Sequence, residues 1–371
     1  MKIIHFIDEL KMGGAQTHLF TMCKENLILY PNHEIIVVSL FGDGELSDWF
    51  KKEAISVKVF DFRNLMKERS FVRIIKELHH FLSNESPDIV ITHLTWSRLL
   101  ANTAAFLNKT PTRIGFEQGD IYFNTLKFRF FNFISQFMFN KIIVCSETHK
   151  KWTHKTHKIK NSKIEVYHNC VDIKKFDLTN NLMNSTYEKP EVDFLFIAVG
   201  TLGKGVNKRM DINIKAIANV HKEGYKVGLV ICGDGEQRVE LQQLIEKLNM
   251  EAYIKLLGNR PDVKDILADC DGFCHAAPYE PFGIVAIEAL AMGLPVILPN
   301  SGGIKEVLVD KEGGHLYESL NEYDLAVKML TFVKDKDSAI KLGQLGRKNV
   351  EVNFSSTAYM KRFINQFYKN Y

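Results

Sequence analysis

Short runs of β-branched and other apolar residues recur along the chain at 3–7, 35–40, 89–92, 142–145, 194–199, 227–232, 253–257 and 296–298. Continuous apolar runs of this length suit strands buried on both faces. Between most of them lie longer stretches in which apolar residues return every three or four positions. The stretches 73–82 and 239–248 are examples, and they predict amphipathic helices. Strand and helix alternating in this way predict an α/β protein with parallel sheets covered by helices.

The alternation restarts at Asp193, after a polar segment at 177–191 whose Asn, Ser, Thr and Lys-Pro content suits a linker. Two Rossmann-like domains are therefore expected, one at 1–176 and one at 177–354. The last stretch, 355–371, reads as an amphipathic helix with Tyr359, Phe363 and Phe367 on one side, packing back on the first domain. Ligands of open α/β sheets sit beyond the carboxyl ends of the strands, so two such sheets facing each other would define one deep cleft.

A length of 371 residues with 46% hydrophobic residues supports two cores. The formal charge of +4 is too small to make nucleic acid the expected partner. Met1 and Lys2 run straight into the apolar Ile3-Ile4, and no apolar run has transmembrane length, so a cytoplasmic protein is expected. The six cysteines are scattered, and the close pair Cys270 and Cys274 is not a CxxC motif, so no structural metal is expected.

Chemistry concentrates between Tyr279 and Pro299. Pro281 cannot lie inside a helix, whereas the residues from Gly283 onward favour one until Gly293, which suits a C-terminal cap before Leu294-Pro295. Glu280 then precedes the helix and Glu288 lies within it. Amides at the helix start, with Gly283 allowing close approach, form a site for phosphate or sugar hydroxyls. Eight positions at about 1.5 Å each separate the two acids by roughly 12 Å, too far for a pair sharing one glycosidic bond.

Glu280 and Glu288 with seven residues between them, followed by Ala291-Met-Gly-Leu-Pro-Val296, resemble the signature of retaining GT-B glycosyltransferases, especially family 4. Met12-Gly13-Gly14-Ala15-Gln16, Asn169 to Asp172, Cys232-Gly233-Asp234-Gly235 and Ser301-Gly302-Gly303 extend the resemblance over nearly the whole chain. The resemblance implies that Glu288 holds the ribose hydroxyls of a nucleoside-diphosphate sugar, with a UDP-sugar favoured. It places Glu280 at the transferred sugar, beside the amides of Phe282, Gly283 and Ile284. Gly13 and Gly14 would face the diphosphate, and Asn259 and Arg260 would frame the base. It further implies retention of anomeric configuration without a metal or a bound cofactor.

Two departures from the family pattern stand out. Relatives carry an Arg soon after the first strand of the second domain and a Lys several residues later; here Thr201 stands at the first place. Lys208 best matches the later cation, with Arg209 and Lys204 as further candidates for the diphosphate. Where relatives often carry a His facing the reacting sugar, this chain has Gln118. Gln118 can only position by hydrogen bonding, and Glu117 or His93 could supply charge instead, His93 on the acceptor side.

The stretch 121–163 is rich in Phe, at 128, 130, 131, 133, 137 and 139, and then in Lys, at 141, 150, 151, 155, 158, 160 and 163. One reading docks this patch on an anionic membrane from the cytoplasmic side, with a saccharide or lipid-linked saccharide as acceptor in bacterial surface polysaccharide synthesis. The other packs the aromatics into the first core and leaves the lysines solvated. Two rival functions keep the fold: a sugar-nucleotide epimerase, and a non-catalytic partner subunit. A dinucleotide- or phosphate-binding protein, prompted by Gly200 to Gly205, is a weaker rival, because Val206-Asn207 stands where a P-loop needs Lys-Ser or Lys-Thr and the GxGxxG spacing is wrong.

Overall fold

The computed structural model describes residues 1–118, 125–177, 186–204, 208–308 and 312–368. The chain divides into two compact units, one of Met1–Cys170 with Ser356–Tyr371 and one of Val171–Ser355. Much of the polar segment expected as a linker, 178–185, lies outside the described residues, as do Gly205 to Asn207.

The first unit runs β1 (Lys2–Ile7), α1 (Gly14–Leu29), β2 (Glu34–Ser39), α2 (Ser47–Lys52), β3 (Ser56–Val59), α3 (Arg63–Lys67), α4 (Phe71–Glu85) and β4 (Ile89–His93). It continues through α5 (Thr95–Leu107), β5 (Thr112–Glu117), α6 (Leu126–Ser135), β6 (Lys141–Val144), α7 (Glu147–His157) and β7 (Ile164–Val166). Its strands form one sheet in the order β3-β2-β1-β4-β5-β6-β7, and every pairing is parallel.

The second unit runs β8 (Phe194–Val199), α8 (Met210–Lys222), β9 (Val227–Cys232), α9 (Arg238–Lys247), β10 (Ile254–Gly258), α10 (Val263–Ala268) and β11 (Gly272–Cys274). There follow α11 (Ile284–Ala291), β12 (Val296–Pro299), β13 (Gly314–Tyr317), α12 (Glu322–Lys334) and α13 (Lys336–Asn353). Its sheet, also parallel, is ordered β10-β9-β8-β11-β12-β13. The two Rossmann-like α/β units are the architecture that the alternating pattern predicts.

Both sheets reverse direction of growth beside their first strand: β1 lies between β2 and β4, and β8 between β9 and β11. Such a switch point opens a crevice at the strands' carboxyl ends. The loops that carry Gly13 and Gly14 in one unit, and Thr201 and His275 in the other, leave from these strands.

Parallel strands covered on both faces explain the unbroken apolar runs; Ile3, Ile4, Phe6 and Ile7 of β1 are all fully buried. The strands β3, β7, β11 and β13, of three or four residues each, had no comparable run to announce them. Helix α14 (Ser356–Phe367) stacks Tyr359 and Phe363 against Tyr167 of the first unit at 5.7 and 5.6 Å between ring centroids.

Helix α6 does not pack its aromatics into the core. Phe130, Phe131 and Phe137 in and just after it are 61%, 54% and 58% exposed, while Asn132, Ser135 and Gln136 are buried. Of the six phenylalanines between 128 and 139 only Phe139 is fully buried, against Gly115, where an added Cβ would lie 2.6 Å from its ring.

Candidate functional site

In the second unit, β11 ends at Cys274 and the chain continues through His275 to Glu280 before α11 begins at Ile284. A second loop, after β12, clamps this segment. Ser301 Oγ donates to the Pro278 carbonyl at 2.8 Å, and the Gly303 amide donates to the Glu280 carbonyl at 2.8 Å. Gly302, at φ +64°, lies so close that a Cβ there would meet the Glu280 nitrogen at 2.9 Å and its carbonyl oxygen at 2.8 Å. Gly283 caps α11 at φ +89°, and a Cβ there would stand 2.7 Å from Ile304. Only Ile284 onward is helical, so the helical-rise figure for the full interval from Glu280 to Glu288 does not apply.

Lys208, just ahead of α8, donates its ammonium to Glu280 Oε2. His275 Nε2 lies 3.5 Å from the same oxygen. Burial alone would raise the Glu280 carboxyl, but the Lys208 charge and the His275 ring overcome it and hold the group at about 2. Glu280 is therefore an anion at neutral pH. Burial lowers His275 below the usual imidazole value despite its acidic neighbour, so this histidine is neutral. Sequence reasoning missed His275; its one signal was a polar ring at the end of a short apolar run before Pro278.

Glu288 sits half-buried on α11, where loss of water raises its carboxyl to about 7 against the opposing charge of Lys175. It is thus poised between its two forms near neutrality. Phe282 is buried and packs edge-on against Phe354 at 5.6 Å, so its ring serves the core and its backbone faces the helix start.

The other cations expected at the diphosphate have other partners. Arg209, in the left-handed region at φ +49°, forks onto Asp211 at 2.8 and 3.0 Å. Lys204 pairs with Glu240 of α9 at 3.1 Å on the surface. Thr201 and Asn259 are exposed, and Arg260 binds Asp262 at 2.7 Å and the Thr186 carbonyl at 3.3 Å. Lys208, Glu280 and His275 are the expected and unexpected residues that the fold brings together.

In the first unit, Gly13 is the extended residue ahead of α1, its carbonyl accepting from Thr17 at 2.9 Å, and Gly14 opens the helix. Gln118 Nε2 lies 3.0 Å from His18 Nδ1. Glu117, at the end of β5, is fully buried, 3.7 Å from Arg98 and 3.6 Å from both His149 and His157. Burial raises its carboxyl, but Arg98 and the two imidazoles prevail and hold it well below the carboxylate range. It is a structural anion inside the unit. His93 is also fully buried, 3.1 Å from His5, stacked on Phe116, and kept neutral by burial. His93 and Glu117 both have no exposed surface in the chain.

Two family descriptions divide the chain between them: "Glycosyltransferase Family 4" matches residues 12–175, and "Glycosyl transferases group 1" matches residues 182–349. The capsular polysaccharide biosynthesis glycosyltransferase CapM of Staphylococcus aureus is 28% identical over 78% of this chain and 77% of its own. The N-acetyl-alpha-D-glucosaminyl L-malate synthase of Bacillus anthracis is 27% identical over 56% of this chain and only 54% of its own. A Campylobacter jejuni transferase named for a diphospho-undecaprenol acceptor is 31% identical over 47% of this chain and 45% of its own. Anabaena HepE, solved in complex with UDP-glucose, superposes with a TM-score of 0.80 over 99% of both chains at 20% identity. TarM gives a TM-score of 0.75 over 99% of this chain and 98% of its own at 15% identity.

Proposed function

We propose, from the premise that the chain belongs to the group 1, family 4 glycosyltransferases of GT-B fold, that it moves a hexosyl-type sugar from a UDP-sugar to a saccharide or lipid-linked saccharide. The observation that carries this reading is the Lys208, Glu280 and His275 cluster beside the start of α11. The UDP-glucose bound by HepE supports the donor class, the name of CapM supports a role in bacterial surface polysaccharide synthesis, and the name of the Campylobacter enzyme supports a lipid-linked saccharide as acceptor.

In this reading the bond from the anomeric carbon to the diphosphate breaks as the acceptor oxygen bonds to the same face, which retains configuration. The acceptor's proton passes to the departing phosphate oxygen, so no covalent nucleophile and no metal are assigned. Lys208 and the first-turn amides of α11 take up the charge that develops on the diphosphate. Glu280, ionised and with its carbonyl held by the Gly303 amide, orients Lys208 and accepts hydrogen bonds from sugar hydroxyls. Glu288 accepts from the ribose hydroxyls once ionised. The exposed aromatic face of α6 supports peripheral attachment to the inner face of an anionic membrane; among the described residues no helix is long and apolar enough to cross one.

Thermal unfolding with UDP, GDP, ADP and their sugar conjugates tests the donor, since a ligand at a hundred times its Kd adds about 2.7 kcal/mol. UDP compounds should stabilise the wild type and lose their effect in Glu288→Ala. A UDP-sugar converted to a different sugar nucleotide with no acceptor present would favour an epimerase, and no stabilisation by any nucleotide would favour a non-catalytic subunit.

A further inference from the structure

We infer that His275 is a positioning residue that takes over the Glu280 carboxylate when a donor diphosphate draws Lys208 away from it. The role assigned to His275 rests on Lys208 being the cation of the diphosphate, as proposed above, and gives Glu280 a second partner.

Lys208 and His275 converge on one oxygen. Lys208 donates its ammonium to Glu280 Oε2, and His275 Nε2 stands 3.5 Å from the same atom. The lysine stem lies over the end of β8, where a Cβ at Gly200 would come within 3.1 Å of Lys208 Cγ. The bonds beyond Cγ therefore turn the ammonium. Lys208 and Glu280 both keep an edge at the surface, so a ligand reaches the pair. A diphosphate and a carboxylate then compete for a single ammonium. The carboxylate that loses it faces desolvation, which raises its affinity for a proton.

His275 is placed to prevent that protonation. Its backbone is fully committed: the amide donates to the Ile297 carbonyl at 3.1 Å, and the carbonyl accepts from the Tyr317 hydroxyl at 3.2 Å. Its ring is buried, stacks on Phe273 at 6.3 Å, and has no hydrogen-bond partner on either nitrogen among the described residues. A buried polar atom left in this way is uncommon and calls for an explanation. Burial keeps the ring neutral, so it carries one N–H, and the facing carboxylate selects the tautomer with that proton on Nε2. Shortening 3.5 Å to the roughly 2.9 Å of an N–H···O bond is a movement of about half an ångström. Hydrogen bonds at reacting sites are often long until substrate is bound, and tighten then. A neutral donor holds the carboxylate without adding a charge that competes for the diphosphate.

The charges that act on His275 come from Glu280 and Lys208, and those that act on Glu280 come from Lys208 and His275. Other polar groups in this part of the unit have partners elsewhere. Tyr317 of β13 holds the His275 carbonyl, Arg209 and Asp211 fork onto each other, and the Ser301 hydroxyl holds the Pro278 carbonyl.

The test is calorimetric titration of the full chain with UDP, GDP and ADP at neutral pH, in buffers of different ionisation enthalpy so that protons taken up or released are counted. Lys208→Met should weaken the nucleotide that binds, which checks the lysine's part. His275→Phe should weaken it by about tenfold or more, the loss expected when a hydrogen bond to a charged group is removed. The same variant should shift the proton count toward uptake, because Glu280 without a partner binds a proton. His275→Gln keeps a donor near the place of Nε2 and should stay within about threefold of the wild type. In a Glu280→Gln background, with no carboxylate to hold, His275→Phe should weaken binding no further. Thermal unfolding without nucleotide shows whether each variant is folded, and His275→Leu replaces His275→Phe should the larger ring prevent folding. Binding that responds to Lys208→Met but to neither apolar substitution of His275 overturns the handover and leaves the donor reading standing. So does a His275 effect that is equally large in Glu280→Gln, or that His275→Gln fails to rescue. A wild type that binds none of the three nucleotides overturns both.

Discussion

At Glu280 burial and charge oppose each other, and charge prevails through Lys208. Lys208→Met removes that cation, so the Glu280 carboxyl should rise and turnover should fall by about 10²–10³, the usual loss when one group aimed at developing charge is removed. Steady-state kinetics with the donor found by thermal shift would measure it, and an unchanged kcat would remove Lys208 from the machinery. Glu288 has the opposite balance, because desolvation outweighs the charge of Lys175. A carboxyl raised to about 7 in the folded state and near 4.5 when unfolded binds its proton more tightly when folded. Stability should therefore decline as pH rises from 4.5 through 7, and Glu288→Gln should abolish that component of the urea midpoint profile. UDP affinity should rise over the same interval in the wild type and rise less in Glu288→Gln. Lys208, Glu280 and Glu288 were all legible as residues in the sequence. That Glu280 is a fixed anion and Glu288 nearly half protonated was not, since both follow from neighbours far away in the chain.

Among the elements, α11 depends on two glycines in its approach. Gly302→Ala would force a methyl group into the Glu280 backbone at φ +64°, displacing the carboxylate from Lys208. It should cost about 1–3 kcal/mol in stability and weaken donor binding besides, whereas an exposed substitution such as Val239→Ala should change neither by more than about 0.5 kcal/mol. Calorimetry and a UDP titration separate the two effects. The helices with one apolar stripe, such as α4 with Ile74, Leu78 and Leu82 buried, were legible from periodicity alone. Helix α6 was not, because its composition fits either a buried aromatic face or an exposed one, and only the partners of Asn132 and Gln136 decide which. Strand β11 escaped for another reason: its three residues earn their place by pairing with β8 and β12, not by any pattern of their own.

For the molecule as a whole, the buried histidines set a limit at acid pH. His5 and His18 are held at about 3 by burial, against 6.5 when unfolded, so the unfolded chain takes up protons first as pH falls. Their contribution is fully present above 6.5 and is lost as pH drops toward 3; at pH 5 each costs on the order of 2 kcal/mol. The urea midpoint should drop between pH 7 and pH 5, and His18→Gln should shrink the drop; a flat profile would contradict neutral buried imidazoles. The alternation of apolar runs with amphipathic stretches determined the two parallel α/β units by itself, because strands buried on both faces and helices buried on one leave different periods in a sequence. The motif from Glu280 to Val296 likewise pointed to the glycosyltransferase family by resemblance, and its proline and glycines marked where α11 begins and ends. Only the tertiary structure joined His275 to Lys208 and Glu280, withdrew His93 and Glu117 into the core, and turned the aromatic face of α6 outward. Each of these depends on which groups meet across long stretches of chain, where burial and partner charge, rather than local spacing, decide the outcome.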